Sequence, residues 1–455
     1  MSARSYHEKR GIMKIQLPQK VSRIIKTLEG AGYEAYAVGG CVRDSILGRE
    51  PQDWDITTSA KPYEVKRLFS HTIDTGIQHG TVTVMLKHEG FEVTTYRIDG
   101  EYEDARHPKE VTYTANLLED LKRRDFTINA MACNERQGLV DAFDGLGDLE
   151  KKVIRCVGDP KERFTEDALR MLRALRFAAQ LGFEVEEGTF RAIRSLAPTI
   201  GKISAERIQV ELVKLLLSEH PGLLREVYES GIADVVLPEF AELMRTGQKN
   251  PHHCYSVGEH TIRVVEGVPR DRVLRLAALF HDIAKPVCKT TDDRGIDHFY
   301  GHPQEGAQMT EKIFRRLKFD VDTMQRVCGL VRWHDDNPPL DPAKIRRAVH
   351  RVGEDRYPAI FSLKRADILA QSAYQREEKL AYVEGYERLY EQILSKKDCL
   401  NLKSLAVNGS DLIALGIQPG KEIGEILKGL LEEVLEDPSK NSREELLELV
   451  KKSYR

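Results

Sequence analysis

Two aspartates, Asp53 and Asp55, stand shortly after a glycine pair in the run Tyr36-Ala-Val-Gly-Gly-Cys-Val-Arg-Asp44. If the backbone is extended at Asp53-Trp-Asp55, both carboxylates face one side while Trp54 and Ile56 face the other. Two hard oxygen ligands beside a phosphate cradle are the means by which Mg²⁺ is held against substrate phosphates. The cradle is legible just upstream. Gly39 and Gly40 let the backbone approach a ligand, the helix starting at Val42 offers free amides to an anion, and Arg43 adds a fixed positive charge. An isolated Asp-x-Asp is commonly a solvated turn. A strand, a glycine turn, a helix and paired acids in succession are far more specific.

The elements that must hold these groups follow from periodicity. Ile15-Gln-Leu-Pro18 is extended and leads into an amphipathic helix ending at Gly30, with Val21, Ile24, Ile25 and Leu28 on one face. Ala35 to Val38 reads as a short apolar strand and Pro62 to Phe69 as a short helix. Thr81 to Leu86 and Phe91 to Arg97 alternate around His88-Glu-Gly90, which predicts a hairpin. Asp99 to Val111 is polar and loop-like. Leu117 opens a helix, and Leu139 to Asp144 reads as strand and turn. From Glu162 onward strand signals nearly vanish, so the chain divides into an α+β head and a long helical remainder.

Composition narrows the function classes. The 455 residues are 31% charged, yet the formal net charge is −3, so any contact with RNA must come from local patches. Cys41, Cys133, Cys156, Cys254, Cys288, Cys328 and Cys399 include no Cys-x-x-Cys pair. That argues against a disulfide framework or a zinc ribbon and fits a reducing cytoplasm. Met1 to Lys14 is polar and basic rather than a secretory signal, and Met13 could equally be the natural start. No apolar run approaches the ~20 residues needed to span a bilayer, so no membrane contact is expected.

Gly-Gly-x-Val-Arg-Asp followed by Asp-x-Asp resembles the signature of the class II tRNA nucleotidyltransferase and bacterial poly(A) polymerase family, within the polymerase-β-like superfamily. Arg123-Arg-Asp-Phe-Thr-Ile-Asn-Ala-Met131 is similar to the family's second motif. The resemblance implies that Asp53 and Asp55 are the catalytic, Mg²⁺-binding pair. It also implies that Gly39, Gly40, Arg43, Arg124, Asp125 and Asn129 bind the nucleotide, with arginine on the triphosphate and Asp125 and Asn129 at the sugar. Enzymes of this superfamily often carry a third metal-site carboxylate where Glu92 stands on the second hairpin strand.

Glu166-Asp-Ala-Leu-Arg-Met-Leu-Arg-Ala-Leu-Arg176 reads as one helix with Asp167, Arg170 and Arg173 within about 120° of arc. By spacing alone this is also a common salt-bridged surface. In the family, the matching Glu-Asp-x-x-Arg is the protein template for base choice. Cytosine and adenine both present an amino donor beside a ring-nitrogen acceptor. A carboxylate can accept from the first while a guanidinium donates to the second, whereas guanine and uracil leave both side chains unpaired. Arg173 and Arg176 are implied as further triphosphate or base contacts. Ser204-Ala-Glu-Arg-Ile-Gln-Val-Glu211 reads as a capping-box-like helix start that supports the base-reading helix.

In the helical half, His260, His281-Asp282 and Asp367 stand in the order of the HD phosphohydrolase superfamily, with His298, His302 and His334 between them. A lone histidine is usually a hydrogen-bonded polar residue. Asp367, however, lies in the apolar run Lys364-Arg-Ala-Asp-Ile-Leu-Ala370, where a carboxylate needs a partner. The resemblance implies a second divalent-metal site at His260, His281, Asp282 and Asp367. It also implies the phosphodiesterase or phosphatase activity on 2′,3′-cyclic ends that some relatives show. Leu405 to Gly420 resembles a C-terminal segment that grips the outer part of tRNA.

The expected architecture is a polymerase-β-like nucleotidyltransferase head at 14–160, a helical neck at 161–250, an HD body at 251–390 and a tRNA-binding tail at 391–455. The expected reaction is untemplated addition of C, C and A to the 3′ end of tRNA from CTP and ATP, with pyrophosphate release. Poly(A) polymerases typically carry a basic C-terminal extension, which is absent. CC-only enzymes lack the flexible segment that Asp104-Ala-Arg106 represents, although His107 stands where Arg is frequent. A-only or CC-only addition and poly(A) polymerase are the alternatives within the family. An HD phosphohydrolase with a nucleotide-sensing head, or a non-catalytic RNA binder, is the alternative outside it.

Overall fold

The computed structural model describes residues 15–99 and 111–453. Met13, Asp104 to Arg106 and His107 lie outside the described residues. The chain forms two compact units that divide after Leu237.

The first unit opens with the helix Gln19–Gly30, whose Val21, Ile24, Ile25 and Leu28 are all buried. The strands that follow include β1 (Ala35–Val38), β2 (Ile56–Thr58), β3 (Thr72–Gly76), β4 (Thr81–Leu86), β5 (Glu89–Thr95), β6 (Arg97–Asp99), β7 (Val111–Tyr113), β8 (Met131–Asn134) and β9 (Gly138–Asp141), and Val153–Ile154 pairs with Glu184–Val185 as a separate two-stranded sheet. Seven make one sheet in the order β3-β4-β5-β2-β1-β8-β9, and β6 pairs with β7 apart from it. Every neighbouring pair in the large sheet is antiparallel except β2 with β5. All four residues of β1 are buried, which is why Ala-Tyr-Ala-Val reads as apolar rather than alternating.

Several local expectations are corrected. The hairpin turn is Lys87-His88, both at positive φ, and Leu86 pairs directly with Glu89, so Glu89 and Gly90 belong to the strand. A two-residue turn of that hand matches the twist of the flanking strands. The helix opened by Leu117 stops at Lys122, Thr127–Asn129 is a single 3₁₀ turn, and Met131–Asn134 is a buried strand. Regular strand begins at Ile56 rather than Asp53, although the Asp55 carbonyl accepts the Val38 amide at 3.0 Å and so runs beside β1.

The expected helix from Glu166 to Arg176 is two helices, Pro160–Glu166 and Leu169–Leu181. Asp167 between them is extended, with φ −144° and ψ 103°. Its side chain accepts the Leu169 amide at 3.0 Å, which competes with helix continuation. Glu187–Leu196 and Ala205–Leu216 follow. Ser204 stands at the start of the latter, but its side chain makes no capping bond. The capping box is absent because the third helical position holds Arg207, which has no carboxylate to reciprocate.

The second unit is built from helices, among them Val257–Gly267, Arg272–Phe280, His302–Arg316, Val321–Trp333, Pro342–Val352, Tyr357–Ala370 and Arg376–Ser395. Its last long helix, Lys421–Glu436, is tied down by buried Arg346, which donates to the carbonyls of Leu435 at 2.6 Å and Glu436 at 2.8 Å and pairs with Asp398 at 3.2 Å. Among the described residues no helix is long and apolar enough to cross a membrane.

One buried carboxylate joins the pieces of the head. Asp120 accepts from the Thr57 hydroxyl of β2 at 3.0 Å and from the Arg123 guanidinium at 2.8 Å, with Arg124 at 3.6 Å. Burial by itself raises its pKa, but Arg123 and Arg124 outweigh burial and hold it below the ordinary value. A depressed carboxyl stabilises fully above the unfolded value of about 3.9, and that stability is lost as pH falls through the folded value. Asp120→Asn should therefore cost the first unit about 3 kcal/mol at neutral pH and flatten the acid limb of its stability profile. Denaturant unfolding across pH 2 to 7 checks both; an unchanged acid limb would remove Asp120 from this role.

Candidate active site and candidate metal centre

In the head, β2 runs parallel to β5 with Ile56 opposite Val93, so the preceding residues, Asp55 and Glu92, lie side by side. Burial raises the Asp55 pKa, Arg124 opposes the rise, and Asp53 adds to it. Glu92 is likewise raised, by burial and then by Asp55 and Asp53. Burial leads both shifts and the charge of Asp53 adds to each, so Asp55 and Glu92 stand with Asp53 in a poorly solvated cluster of carboxylates. That is a fit for a divalent cation held by oxygen ligands.

The glycine turn faces the same region. Gly39 has φ +84°, and a Cβ there would lie 3.0 Å from Arg124 Nη1. Its amide donates to the Met131 carbonyl at 3.1 Å, and Gly40–Ile46 is the helix that follows. Arg124 Nε is buried with no hydrogen-bond partner, so this guanidinium has a donor in reserve beside the turn.

Behind the turn runs a chain of charged contacts. Arg43 is buried, donates to Asn129 Oδ1 at 2.7 Å, and pairs with Asp44. Asn129 Nδ2 donates to Asp125 Oδ1 at 3.2 Å, and Asp125 Oδ2 accepts from Arg173 at 2.6 and 2.9 Å. Burial alone would oppose ionisation of Asp125, yet Arg173 and Asn129 hold its pKa well below the usual carboxylate range. Arg173 also reaches Glu211 at 3.7 Å, and Glu211 pairs with Arg176 at 2.8 Å. Arg176 is only 6% exposed and lies 3.5 Å from the centre of the Phe177 ring, so it belongs to the interior of the wall.

Asp167 and Arg170, expected on one helix face, are held by different partners. Asp167 Oδ2 accepts from Arg207 Nη2 at 2.7 Å. Arg170 Nη1 donates to Glu166 at 2.6 Å and Nη2 to the Arg123 carbonyl at 3.1 Å. Both stay within the same field, since Arg170 helps depress Asp125 and Asp167 helps raise Arg173.

The second unit gathers its histidines around Asp282. Asp282 Oδ2 lies 3.6 Å from His260 Nε2 and 3.2 Å from His281 Nε2, and Asp367 Oδ1 is 2.9 Å from His260 Nε2. On the other carboxylate oxygen, Oδ1, stand His302 Nε2 at 3.4 Å and His334 Nε2 at 3.9 Å. The Nδ1 atoms of His260, His281, His302 and His334 each face a backbone carbonyl, of Ala370, Ala278, Phe299 and Val331. A carbonyl can only accept, so each ring donates through Nδ1, and in its neutral form turns the Nε2 lone pair inward. Lys285 Nζ meets Asp282 Oδ2 at 2.7 Å, and neutral imidazole lone pairs facing the same carboxylates are relieved by a cation shared with them. The buried Nε2 atoms of His260 and His281 have no hydrogen-bond partner, and the donor set suits a divalent metal.

The match to known families follows this division. Residues 35–155 match the poly A polymerase head domain, 182–244 the probable RNA and SrmB-binding site of polymerase A, and 252–372 the HD domain. The CCA-adding enzyme of Levilactobacillus brevis is 37% identical over 436 residues, 94% of this chain and 96% of that protein. The chain belongs to the CCA-adding enzyme family. It is accordingly a nucleotidyltransferase with a polymerase-β-like head and a helical body. The Limosilactobacillus reuteri CCA-adding enzyme is 35% identical over 96% of this chain and 98% of its own length. The crystal structure of the Bacillus stearothermophilus CCA-adding enzyme in complex with CTP superposes with a TM-score of 0.72 at 29% identity, covering 96% of this chain and 99% of that one. Nucleotidyltransferase and HD domains generally use divalent metals.

Several site residues escaped the sequence reading. His302 and His334 were visible as histidines, but only the fold brings them to the second oxygen of Asp282. Asp120 carried no signal beyond its closeness to Arg123 and Arg124. Arg207 and Glu211 were noted as support, without their partners.

Gly39 can be set against a second glycine of positive φ. Gly32 also has positive φ, but a Cβ there meets nothing within 4 Å. Gly32→Ala should cost only backbone strain, about 1–2 kcal/mol. Gly39→Ala should cost at least about 1 kcal/mol more, because φ +84° with ψ −131° is open to glycine almost alone and because Arg124 must move. Equal losses in denaturant unfolding would contradict the Arg124 contact.

Proposed function

We propose that this chain adds C, C and A in turn to the 3′ end of tRNA, using CTP and ATP and no nucleic-acid template. The observation that carries the reading is the meeting, within one unit, of a poorly solvated carboxylate trio with an ionic chain leading through Asp125 to the segment bearing Asp167 and Arg170. The names of relatives that align along nearly the whole chain support it. In the reaction, the tRNA 3′-hydroxyl oxygen bonds to the α-phosphorus of the nucleotide, and the bond to pyrophosphate breaks.

Asp53 and Asp55, with Glu92 beside them, would hold Mg²⁺. Bound there, it supplies a lowered hydroxyl pKa and charge stabilisation at the transferring phosphoryl group. The glycine turn at Gly39 and Gly40, with Arg43 and Arg124, takes the triphosphate. Asp125 and Asn129 read the sugar, and Arg173 fixes Asp125. Asp167 accepts the amino group of cytosine or adenine while Arg170 donates to the ring nitrogen. Arg176 acts from inside the wall, through Glu211 and the Phe177 ring.

The division we propose is head at 14–160, neck at 161–250, HD body at 251–390 and tRNA-binding tail at 391–455. Seven free thiols support a reducing cytoplasm as its location. At the HD centre, His260, His281, Asp282 and Asp367 would bind a divalent metal and hydrolyse phosphate esters such as 2′,3′-cyclic ends.

Asp53→Ala should lower nucleotide incorporation at least about a hundredfold, by analogy with loss of one transition-state contact, while tRNA binding persists in a gel-shift assay; retained incorporation would contradict the metal role. At the HD centre, His281→Ala should lose bound metal and the hydrolysis of a 2′,3′-cyclic nucleotide. Equal rates in variant and parent would rule out catalysis by this centre.

A further inference from the structure

The helix Ala205–Leu216 turns two charged side chains toward the nucleotide-reading wall. Arg207 pairs with Asp167 at 2.7 Å, and one turn later Glu211 pairs with Arg176 at 2.8 Å and approaches Arg173 at 3.7 Å. Asp167 sits in the break between two helices, where neither neighbouring helix fixes its backbone as an interior position would. Two contacts hold its carboxylate instead. Oδ1 accepts the Leu169 amide at 3.0 Å, and Oδ2 accepts Arg207 Nη2. With one contact on each oxygen, the plane of the carboxylate is fixed, and the lone pairs left over point in set directions. Take Arg207 away and only the local amide bond remains, about which the group can turn.

Arg207 itself is not saturated by this contact. Its Nη1 is buried with no hydrogen-bond partner. An arginine kept only to brace a fold normally has its buried donors paired, since leaving one unmade is costly. The orphan fits a side chain whose position is dictated by Asp167 rather than by its own satisfaction.

We propose that Arg207 is a specificity-determining positioning residue: by holding the Asp167 carboxylate plane, it sets the preference for cytosine and adenine over uracil and guanine. The inference rests on the proposed reading of Asp167 as an acceptor for the base amino group. A fixed acceptor meets an amino hydrogen in line, and it faces the carbonyl oxygen of uracil or guanine without relief. A loosened one loses the good contact and can swing away from the bad one. The discrimination ratio should therefore fall from both sides, without any loss of the metal or triphosphate contacts.

The test uses the full chain with Mg²⁺ and a tRNA ending at the discriminator base, with CTP or UTP supplied singly, and compares wild type, Arg207→Met and Arg207→Lys. Arg207→Met should lower the CTP-to-UTP ratio of kcat/KM at least tenfold, chiefly through a higher KM for CTP. Arg207→Lys, which keeps the charge but has a different reach, should recover part of the ratio. Circular dichroism and thermal melting establish that each variant is folded. An unchanged ratio in folded Arg207→Met, or equal losses with CTP and UTP, would overturn the proposal, the second because it marks a purely structural role. If the wild type itself fails to extend the tRNA or uses both nucleotides alike, the underlying reading of Asp167 falls first, and the proposal with it.

Discussion

The half-buried ion pair between Asp125 and Arg173 is the contact on which the arrangement of the head depends. It joins the turn after the Arg123-Arg124 pair to the helix Leu169–Leu181 across 48 positions of sequence. Asp125 passes the constraint through Asn129 to Arg43 beside the glycine turn, and Arg173 passes it to Glu211 and the helix Ala205–Leu216. A carboxylate largely withdrawn from water is tolerable only if it is both charge-paired and hydrogen-bonded, and Asp125 is both. Its rigidity follows from the same requirement, because no member can move without stranding another.

This wiring explains how a chain without a basic field can gather many arginines in one wall of the head. Arg43, Arg170, Arg173 and Arg176 each meet a carboxylate of the same unit, at Asp44, Glu166, Asp125 and Glu211. Local charge is nearly cancelled, consistent with a formal net charge of −3 over the whole chain. Specific direction of donors, rather than bulk attraction, is then what the wall offers a ligand. The carboxylates near Asp55 are the exception. Asp55 and Glu92 are both raised, first by burial, and that cluster suits a divalent cation.

Much of this was legible in the sequence, and the failures have physical causes. Ala35 to Val38 was readable because a central strand is apolar on both faces, and the Gln19–Gly30 helix because its buried face repeats regularly. β3 escaped because Thr72-Ile-Asp-Thr-Gly76 lies at the sheet edge, largely exposed, with no alternation to betray it. The helix expected through Glu166 to Arg176 broke because periodicity does not register a side-chain bond such as that from the Leu169 amide to Asp167. Candidate site residues were found where a short motif carried them, as with Asp53, Asp55 and His281-Asp282. Those supplied by distant elements, Glu211 against Arg173 and His302 and His334 against Asp282, depend on tertiary contacts that spacing does not encode.

The account stands on a protein-made choice of base coupled to a metal-held nucleotide. The most direct measurement is product length on a tRNA trimmed to its discriminator base, incubated with the purified chain and each nucleoside triphosphate alone and in pairs. The account predicts growth by cytidines with CTP, completion and arrest at CCA with CTP and ATP together, and no growth with GTP or UTP. Absence of growth, growth with any nucleotide indifferently, or an unbounded adenosine tail would contradict it.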